Sequence, residues 1–406
     1  MTPWLSILGV GEEGAEGLVP AARALLDSAE VLVGGTRHLA MIKNGKAERL
    51  TWASPLSRTI DEIAARRGKR VTVLASGDPM LYGIGTTLTR RFPREEMTII
   101  PAVGAVALAC ARLGWPEAEV EVVTLHGRPL DLLNYHMLPG AKLVILSEDG
   151  TTPATAAAAL AAAGFGESRI AVFEHLGGAD ERRIEATVRE FPPARVADLN
   201  TIAVECRAGP DAIIRPRVPG LPDSAFETDG QLTKREMRAA TLSALMPLPR
   251  ALLWDVGAGS GSIGIEWLRA ERTARAIAIE RDPARVARIA RNAAALGVPR
   301  LEIVTGEAPA ALAGLPTPDA VFAGGGVSNE KLLDACFAAL RPGGRFVANA
   351  VTVEGESALA QFHKRFGGEM TRLSVARLER VGPGFSWRSL RTVTQLALTK
   401  PGAREP

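Results

Sequence analysis

The sequence predicts an α/β protein in which two α/β domains follow one another along a single chain of 406 residues. Three observations predict it. Strand-like apolar runs alternate with helix-like patterns over residues 1–208 and again over 231–406. An aperiodic stretch at 209–230, holding Pro210, Pro216, Pro219 and Pro222, reads as a linker between them. Each half also carries a glycine-rich loop directly after a strand-like run. These are Gly77-Asp78-Pro79-Met80-Leu81-Tyr82-Gly83 and Asp255-Val256-Gly257-Ala258-Gly259-Ser260-Gly261.

In the first half the predicted strands are 4–10, 31–33, 71–75, 97–100, 143–147, 169–173 and 201–205, with helical patterns between most of them, such as 56–67 and 153–163. In the second half they are 251–255, 275–280, 301–305, 320–323, 344–350, 369–380 and 391–399. The first five of these are spaced by helical patterns, as in a parallel sheet. The last two are separated only by 381–390, which predicts an antiparallel pair closing the sheet.

Composition narrows the function classes. Hydrophobic residues make up 47% and charged residues 23%, the balance of a soluble globular protein. Aromatics are only 5%, so the cores must rest on Ala, Val, Leu and Ile. Cys110, Cys206 and Cys336 have no metal-type spacing and no disulfide framework, which suits a reducing cytoplasm. Residues 1–10 show no basic region before their apolar stretch, so no signal peptide is expected. No apolar run approaches the ~20 residues of a membrane helix. A net charge of +3 is too small to predict a nucleic-acid partner. Arginine is abundant, and its planar fork suits carboxylates, so a small polyanionic substrate is as reasonable a partner as a polymer. His38, His136, His175 and His363 form no ligand spacing, and no metal is expected.

The later loop is a strand-to-helix turn where glycines let a ligand approach backbone N–H groups. Asp282-Pro283 then predicts a helix start with an Asp N-cap and Pro at the first position, and Gly297 its end. Glu280 closes the second strand, 19 residues after Gly261, where a carboxylate can accept both ribose hydroxyls of a nucleoside. Gly259, Gly261 and Gly264 also satisfy the G-x-G-x-x-G of nicotinamide-dependent oxidoreductases, which stand as the alternative. Three features favour S-adenosylmethionine: Asp255 two residues before the first glycine, where it can meet the amino acid end of the ligand; the turn Arg341-Pro342-Gly343-Gly344 before a late strand; and the closing hairpin. Thr233-x-x-Glu236 before an apolar pattern predicts a capping box, compatible with a place on the cofactor rim.

With Leu232-Thr233-Lys234-Arg235-Glu236, the Asp255–Gly261 loop, Ala278-Ile279-Glu280-Arg281, Gly306-Glu307-Ala308-Pro309 and Asn349-Ala350-Val351-Thr352 in this order, the second half resembles the decarboxylating precorrin C15-methyltransferases. The resemblance implies a Rossmann-like class I methyltransferase fold. It also implies S-adenosylmethionine contacts from Thr233, Asp255, Gly257, Ala258, Gly259, Ser260, Gly261, Glu280, Glu307 and Ala308. Glu307 departs from the Asp more usual there.

The first half carries, besides Gly77–Gly83, the segments Ile7-Leu8-Gly9-Val10-Gly11, Pro101-Ala102-Val103-Gly104-Ala105 and Phe173-Glu174-His175-Leu176-Gly177. This set resembles the tetrapyrrole methylase family, and Thr124-Leu125-His126-Gly127-Arg128 narrows it to the precorrin C5-methyltransferase branch. The resemblance implies two α/β lobes with S-adenosylmethionine between them, held by Ser76, Gly77, Asp78, Leu81, Gly104, Ala105, Ser147 and Leu176. Glu12 stands where the family usually has proline, and Gly104-Ala105 replaces a hydroxyl-bearing pair. His126 is a candidate general base, since its ordinary pKa lies near neutrality, with a structural role as the competing reading. Arg128 is a candidate partner for a substrate carboxylate.

Together the two resemblances imply a bifunctional enzyme with one S-adenosylmethionine site per domain. It would methylate precorrin-6Y at C5 and C15 and decarboxylate the ring C acetate, giving precorrin-8 in cobalamin biosynthesis. Another tetrapyrrole is the alternative substrate. The macrocycle is itself the electron sink, so no strong protein base is demanded. Its many carboxylates make Arg377, Arg380 and Arg388 in the closing hairpin, with Asn349 at a strand end, the candidate substrate contacts. By the same resemblance a homo-oligomer is expected.

Overall fold

In the computed structural model, residues 3–43 and 45–402 are described; the outermost residues of the two expected domains, 1–2 and 403–406, lie outside them. The chain divides into two compact units, Met1–Arg128 with Leu138–Ile213, and Pro129–Met137 with Ile214–Pro406.

The first unit has two sheets. One is parallel, in the order β3-β2-β4-β1-β5, from β1 (Leu5–Val10), β2 (Val31–Gly34), β3 (Glu48–Thr51), β4 (Val71–Ser76) and β5 (Met97–Ile100). Its central strands are apolar almost throughout because both faces are covered. Leu5, Ile7, Val31, Val33, Val71 and Val73 pack with Ile60, Ile63 and Phe92 on one side. Leu8, Val10, Leu32 and Leu74 pack with Ala22, Leu26 and Leu39 on the other. The second sheet runs β6-β7-β10-β8-β9, from β6 (Val120–Thr124), β7 (Lys142–Leu146), β8 (Arg169–Glu174), β9 (Arg182–Thr187) and β10 (Asn200–Glu205). Only β6 and β7 pair in parallel; β7–β10, β10–β8 and β8–β9 are antiparallel. The helix Ala105–Leu113 covers this sheet through Val106, Ala109 and Cys110.

The sequence pattern missed β3, β6 and β9, and all three are sheet edges. An edge strand need not be apolar on both faces, and β3 and β9 consist largely of exposed charged and polar residues.

The second unit holds a seven-stranded sheet in the order β13-β12-β11-β14-β15-β19-β16. Its strands are β11 (Leu252–Val256), β12 (Arg275–Glu280), β13 (Glu302–Thr305), β14 (Ala320–Ala323), β15 (Arg345–Ala350), β16 (Glu369–Leu373) and β19 (Val393–Thr399). The first five pair in parallel, and β19 runs antiparallel between β15 and β16. Alternation along β11 sends Leu253 to one face with Leu242, Ile265, Trp267 and Ile289, and Leu252, Trp254 and Val256 to the other with Leu333, Phe337, Leu359 and Phe362. Helices Arg235–Leu245, Ser262–Ala270 and Pro283–Ala295 thus cover one face, and Glu330–Ala339 and Val353–Phe366 the other.

Two expectations need correction here. The strand expected at 369–380 is two: β16 stays in the sheet, while β17 (Ala376–Val381) leaves it and pairs with β18 (Gly384–Ser389), formed from the segment expected to be only a connection. Almost every residue of this ribbon is exposed, so it has no face to bury against a core. Nor does Thr233 cap a helix. The N-cap of Arg235–Leu245 is Lys234, with no side-chain cap bond. The Glu236 carboxylate is drawn to Arg377 Nη2 at 2.7 Å instead, and the Thr233 carbonyl accepts from Arg238 at 2.5 Å. The Asp282 cap is present: Oδ1 accepts from Ala284 N at 2.8 Å, and the helix starts at Pro283.

The proline-rich segment 209–230 is tied into the second unit over its later part. Leu221 and Phe226 are buried in that unit's core. The fully buried Arg238 donates to Glu266 (2.9 Å), Asp223 (3.0 Å) and the Leu221 carbonyl, and lies over the Phe226 ring.

Candidate functional site

The first unit carries a cavity of about 480 Å³. Ser76, Gly77, Asp78, Leu81, Gly104, Ala105, Ser147, Leu176, His126 and Arg128 all line it, so every site residue expected in this half faces one space. Two strand ends build its floor. Gly77 follows β4 with φ +54°, and a Cβ there would stand 2.7 Å from Gly104 Cα, so this position must be side-chain-free where the two loops meet. Asp78 holds its own turn, Oδ1 accepting from Met80 N at 2.8 Å. Ser147 donates to Asn200 Oδ1 at 2.5 Å, and the Asn200 amide binds the Asp149 and Ala197 carbonyls.

His126 is strongly exposed and faces Glu148 at 3.3 Å, while Arg128 lies over the Tyr82 ring at 5.2 Å. An exposed imidazole at the cavity mouth is a weak candidate for a base and a sound candidate for a rim contact. Sequence reasoning missed Arg37 and His38. Arg37 lines the cavity, pairs with Glu12, and donates to Ser76 Oγ at 3.1 Å and to His38 Nε2 at 3.3 Å. Burial, with Arg37 beside it and against the pull of Glu12, lowers the His38 pKa to about 4. Because Arg37 Nη2 can only donate, Nε2 is the acceptor nitrogen of the ring, and Ser76 Oγ lies 3.0 Å from it. The Gly34-Gly35 pair at the end of β2 was the available signal: like Gly77, it marks the exit of a parallel strand.

The second unit carries a larger cavity of about 1100 Å³ at the carboxyl ends of its parallel strands. Thr233, Gly257, Ala258, Gly259, Ser260, Glu280, Glu307, Ala308, Asn349, Arg377 and Arg388 line it. Asp255, Gly261 and Arg380 do not. Asp255 lies behind the glycine loop, fully buried, with Oδ2 accepting from Gly264 N at 2.9 Å and Oδ1 without a partner. Burial, reinforced by Glu280, raises its pKa to about 7. Gly261 turns the chain into its helix at φ +75°. Arg380 reaches only the Gly382 carbonyl at the ribbon tip. Gly264, the third glycine of the dinucleotide pattern, packs against Asp255 and Leu301 behind the loop.

The buried Glu280 carboxylate is preset by backbone donors: Oε2 accepts from Gly259 N at 2.9 Å, and Oε1 from Arg281 N at 3.0 Å and Asp282 N at 3.1 Å. It still has lone pairs for a vicinal diol at the cavity floor. Glu307 is exposed and pairs with Arg281 at 2.9 Å. Arg377 leaves the ribbon to bind Asp223 at 3.1 Å and Glu236 at 2.7 Å, while Arg388 pairs with Glu379 at 3.1 Å. The lining also includes Gln231, Lys234, Arg281, Arg285 and Arg391, which sequence reasoning did not select. Gln231 is held by Ser260 Oγ on its carbonyl at 3.0 Å. Its neighbour Asp229 is clamped by Arg285 and Arg288. Nothing periodic marks that segment. Among the described residues no group of three or more His, Cys, Asp or Glu side chains is placed to hold a metal ion.

Residues 5–192 match the family of tetrapyrrole (corrin/porphyrin) methylases, and residues 224–400 match the precorrin methyltransferase domain. Over 403 residues the chain is 48% identical to a precorrin-6Y C(5,15)-methyltransferase [decarboxylating] of a Sinorhizobium species, covering 98% of this chain and 97% of that protein. A protein of the same description from Mycobacterium tuberculosis is 42% identical over 399 residues, covering 97% of this chain and 99% of the relative. A crystal structure of the C-terminal domain of a precorrin-6Y C5,15-methyltransferase from Rhodobacter capsulatus covers 46% of this chain and 100% of its own, at 46% identity and a TM-score of 0.44.

Proposed function

The chain belongs to the family of precorrin-6Y C(5,15)-methyltransferases (decarboxylating), and we propose that its two units divide that reaction between two cavities. It is an S-adenosylmethionine-dependent enzyme of cobalamin biosynthesis that methylates a precorrin and decarboxylates it. In our division, residues 1–208 methylate C5; residues 231–406 methylate C15 and remove carbon dioxide from the ring C acetate of precorrin-6Y; and 209–230 join them. One S-adenosylmethionine binds in each cavity.

The observation that carries this reading is convergence. The residues selected in each half from different motifs line one space in that half, with Asp255, Gly261 and Arg380 as the exceptions. The residues fit the cofactor: a glycine floor open to backbone N–H groups and a buried, preset carboxylate at Glu280 suit a nucleoside in the second unit. A cavity of about 480 Å³ is of small-molecule size in the first. When bound, S-adenosylmethionine supplies a methyl group already activated on a sulfonium. Ser76, Gly77, Asp78, Leu81, Gly104, Ala105, Ser147 and Leu176 hold it in the first unit. Thr233, Gly257, Ala258, Gly259, Ser260, Glu280, Glu307 and Ala308 hold it in the second. Asp255 and Gly261 shape the second loop from behind.

What remains for the protein is orientation and exclusion of water, which can contribute roughly 7–11 kcal/mol. His126 and Arg128 in the first cavity, and Asn349, Arg377 and Arg388 in the second, orient the macrocycle through its carboxylates and ring edge. Arg380 serves the ribbon tip instead. The ring C acetate carboxylate, which departs as carbon dioxide, should not meet an arginine, because pairing it would stabilise the ground state. A cytoplasmic homo-oligomer completes the proposal. The free, buried cysteines support the compartment, and the exposed Leu378, Phe385 and Trp387 support a contact surface. No helix among the described residues is long and apolar enough to cross a membrane.

The test is mass analysis of the products of precorrin-6Y with full-length variants. Asp78→Ala should yield material decarboxylated and methylated once, at C15. Asp255→Ala should yield material methylated once, at C5, that keeps its acetate. Double methylation by both variants would overturn the site assignment.

A further inference from the structure

Asn349 is the one uncharged amide at a strand end that the sequence offered for the second cavity, and its surroundings determine how it is presented. It sits on β15 directly opposite Gln395 on β19, in the antiparallel register. Thr241, from the helix Arg235–Leu245, completes a cluster with them. Thr241 is fully buried and Gln395 nearly so, and neither lines the cavity, whereas Asn349 does.

The hydrogens in this cluster have only one consistent arrangement. Thr241 Oγ1 lies 2.7 Å from the Met237 carbonyl, which can only accept, so the single hydroxyl hydrogen is spent there. Its oxygen must then accept from both neighbours, at 2.8 Å from Asn349 and 3.2 Å from Gln395. The atoms facing it are therefore Asn349 Nδ2 and Gln395 Nε2. Gln395 Nε2 sends its second hydrogen to Asn349 Oδ1 at 3.0 Å. Turning the Asn349 amide over would set Oδ1 against a lone pair of Thr241 and Nδ2 against the amino group of Gln395, two repulsive contacts in place of two bonds.

We propose that Thr241 and Gln395 are positioning residues of the C15 reaction. They lock the Asn349 amide so that one Nδ2–H and one Oδ1 lone pair, in fixed places, face the macrocycle. The inference rests on the reading that the larger cavity takes the precorrin. An uncharged donor suits this place, because it orients a carboxyl or ring nitrogen of the substrate without the ground-state pairing that an arginine would impose. The antiparallel strand that closes the sheet thereby has a chemical task, since only β19 in this register brings Gln395 opposite Asn349.

The experiment uses the full chain with precorrin-6Y and S-adenosylmethionine. It follows C15 methylation and carbon dioxide release in single turnovers, with C5 methylation, cofactor affinity by calorimetry and thermal melting alongside. Thr241→Val keeps the shape and removes the acceptor. Gln395→Glu removes the donor and sets oxygen against Asn349 Oδ1. Both should lower the C15 rate at saturating substrate about 10-fold or more, the effect of one misdirected hydrogen bond, with cofactor affinity and C5 methylation unchanged. Thr241→Ser should restore the rate. If Asn349→Ala lowers the rate and these two variants do not, the positioning role is overturned while the cavity assignment stands. If Asn349→Ala has no effect, both fall. A rate loss that Thr241→Ser does not restore, or that only tracks a lower melting temperature, also overturns the positioning role.

Discussion

Gly257 and Gly325 lie back to back where β11 and β14 end: a Cβ on Gly257 would stand 2.8 Å from Gly325 Cα. β11 is flanked by β12 on one side and β14 on the other, so the chain reverses its direction of winding at this pair. Loops leaving the two strands diverge there and open a crevice, the usual ligand position in an open α/β sheet.

Gly257→Ala should therefore close the floor of the second cavity. The residue also has φ +71°, so the added methyl is strained as well as crowded. S-adenosylmethionine binding at this site should weaken at least about 10-fold, and C15 methylation with carbon dioxide release should be lost while C5 methylation continues. Calorimetry, together with product masses, checks it.

Asp255 predicts a pH dependence of stability. Its pKa is about 7 in the folded protein, against 3.8 ordinarily. Between those values the native state holds a proton that the unfolded chain releases, so this group makes stability fall as pH rises toward 7. The penalty is fully present above pH 7 and absent below the ordinary value. Asp255→Asn keeps an acceptor for Gly264 N and removes the penalty. The stability difference from the parent should be greater at pH 8 than at pH 5, by on the order of 2–3 kcal/mol. Urea melts at the two pH values measure it.

The two arginines of β17 should behave differently. Arg377 binds Asp223 and Glu236 and lines the cavity, while Arg380 reaches only the ribbon tip. Arg377→Ala should raise KM for the precorrin about 10-fold, as the loss of a charge-assisted contact does. Arg380→Ala should change it little. Steady-state kinetics of C15 methylation distinguishes them, and equal effects would remove the ribbon's Arg377 from the substrate contacts.

Tyr135 carries a prediction about stability. Its ring lies 4.3 Å from the Arg217 guanidinium and 5.6 Å from that of Arg269, and its hydroxyl donates to the Arg269 carbonyl at 3.3 Å. Although it is numbered among first-half residues, it belongs to the core of the second unit. Tyr135→Ala should destabilise that unit by about 3–5 kcal/mol and Tyr135→Phe by about 1 kcal/mol. Hydrogen exchange should show the loss in β11 and in helix Ser262–Ala270, with the β1–β4 pair protected as before.

The legible parts of this protein are those whose physics is local. Central strands buried on both faces read as apolar runs, and a glycine loop after a strand reads as a ligand turn without knowledge of the rest. The Asp282-Pro283 helix start is equally local, because cap and partners lie within three residues. The Thr233 cap is not formed: the helix begins one residue later, with Lys234 at the N-cap, and Glu236 binds the distant Arg377.

The sequence by itself determined two α/β units, two glycine floors, the carboxylate at Glu280, and through family motifs the chemistry they serve. Tertiary structure alone decided the rest. It put Pro129–Met137 into the second unit, made a separate ribbon of β17 and β18, and withdrew Asp255 behind its loop. It also brought Thr241, Asn349 and Gln395 together from a helix and two antiparallel strands. Edge strands, long-range ion pairs and buried polar clusters depend on partners far along the chain, and no local period records them.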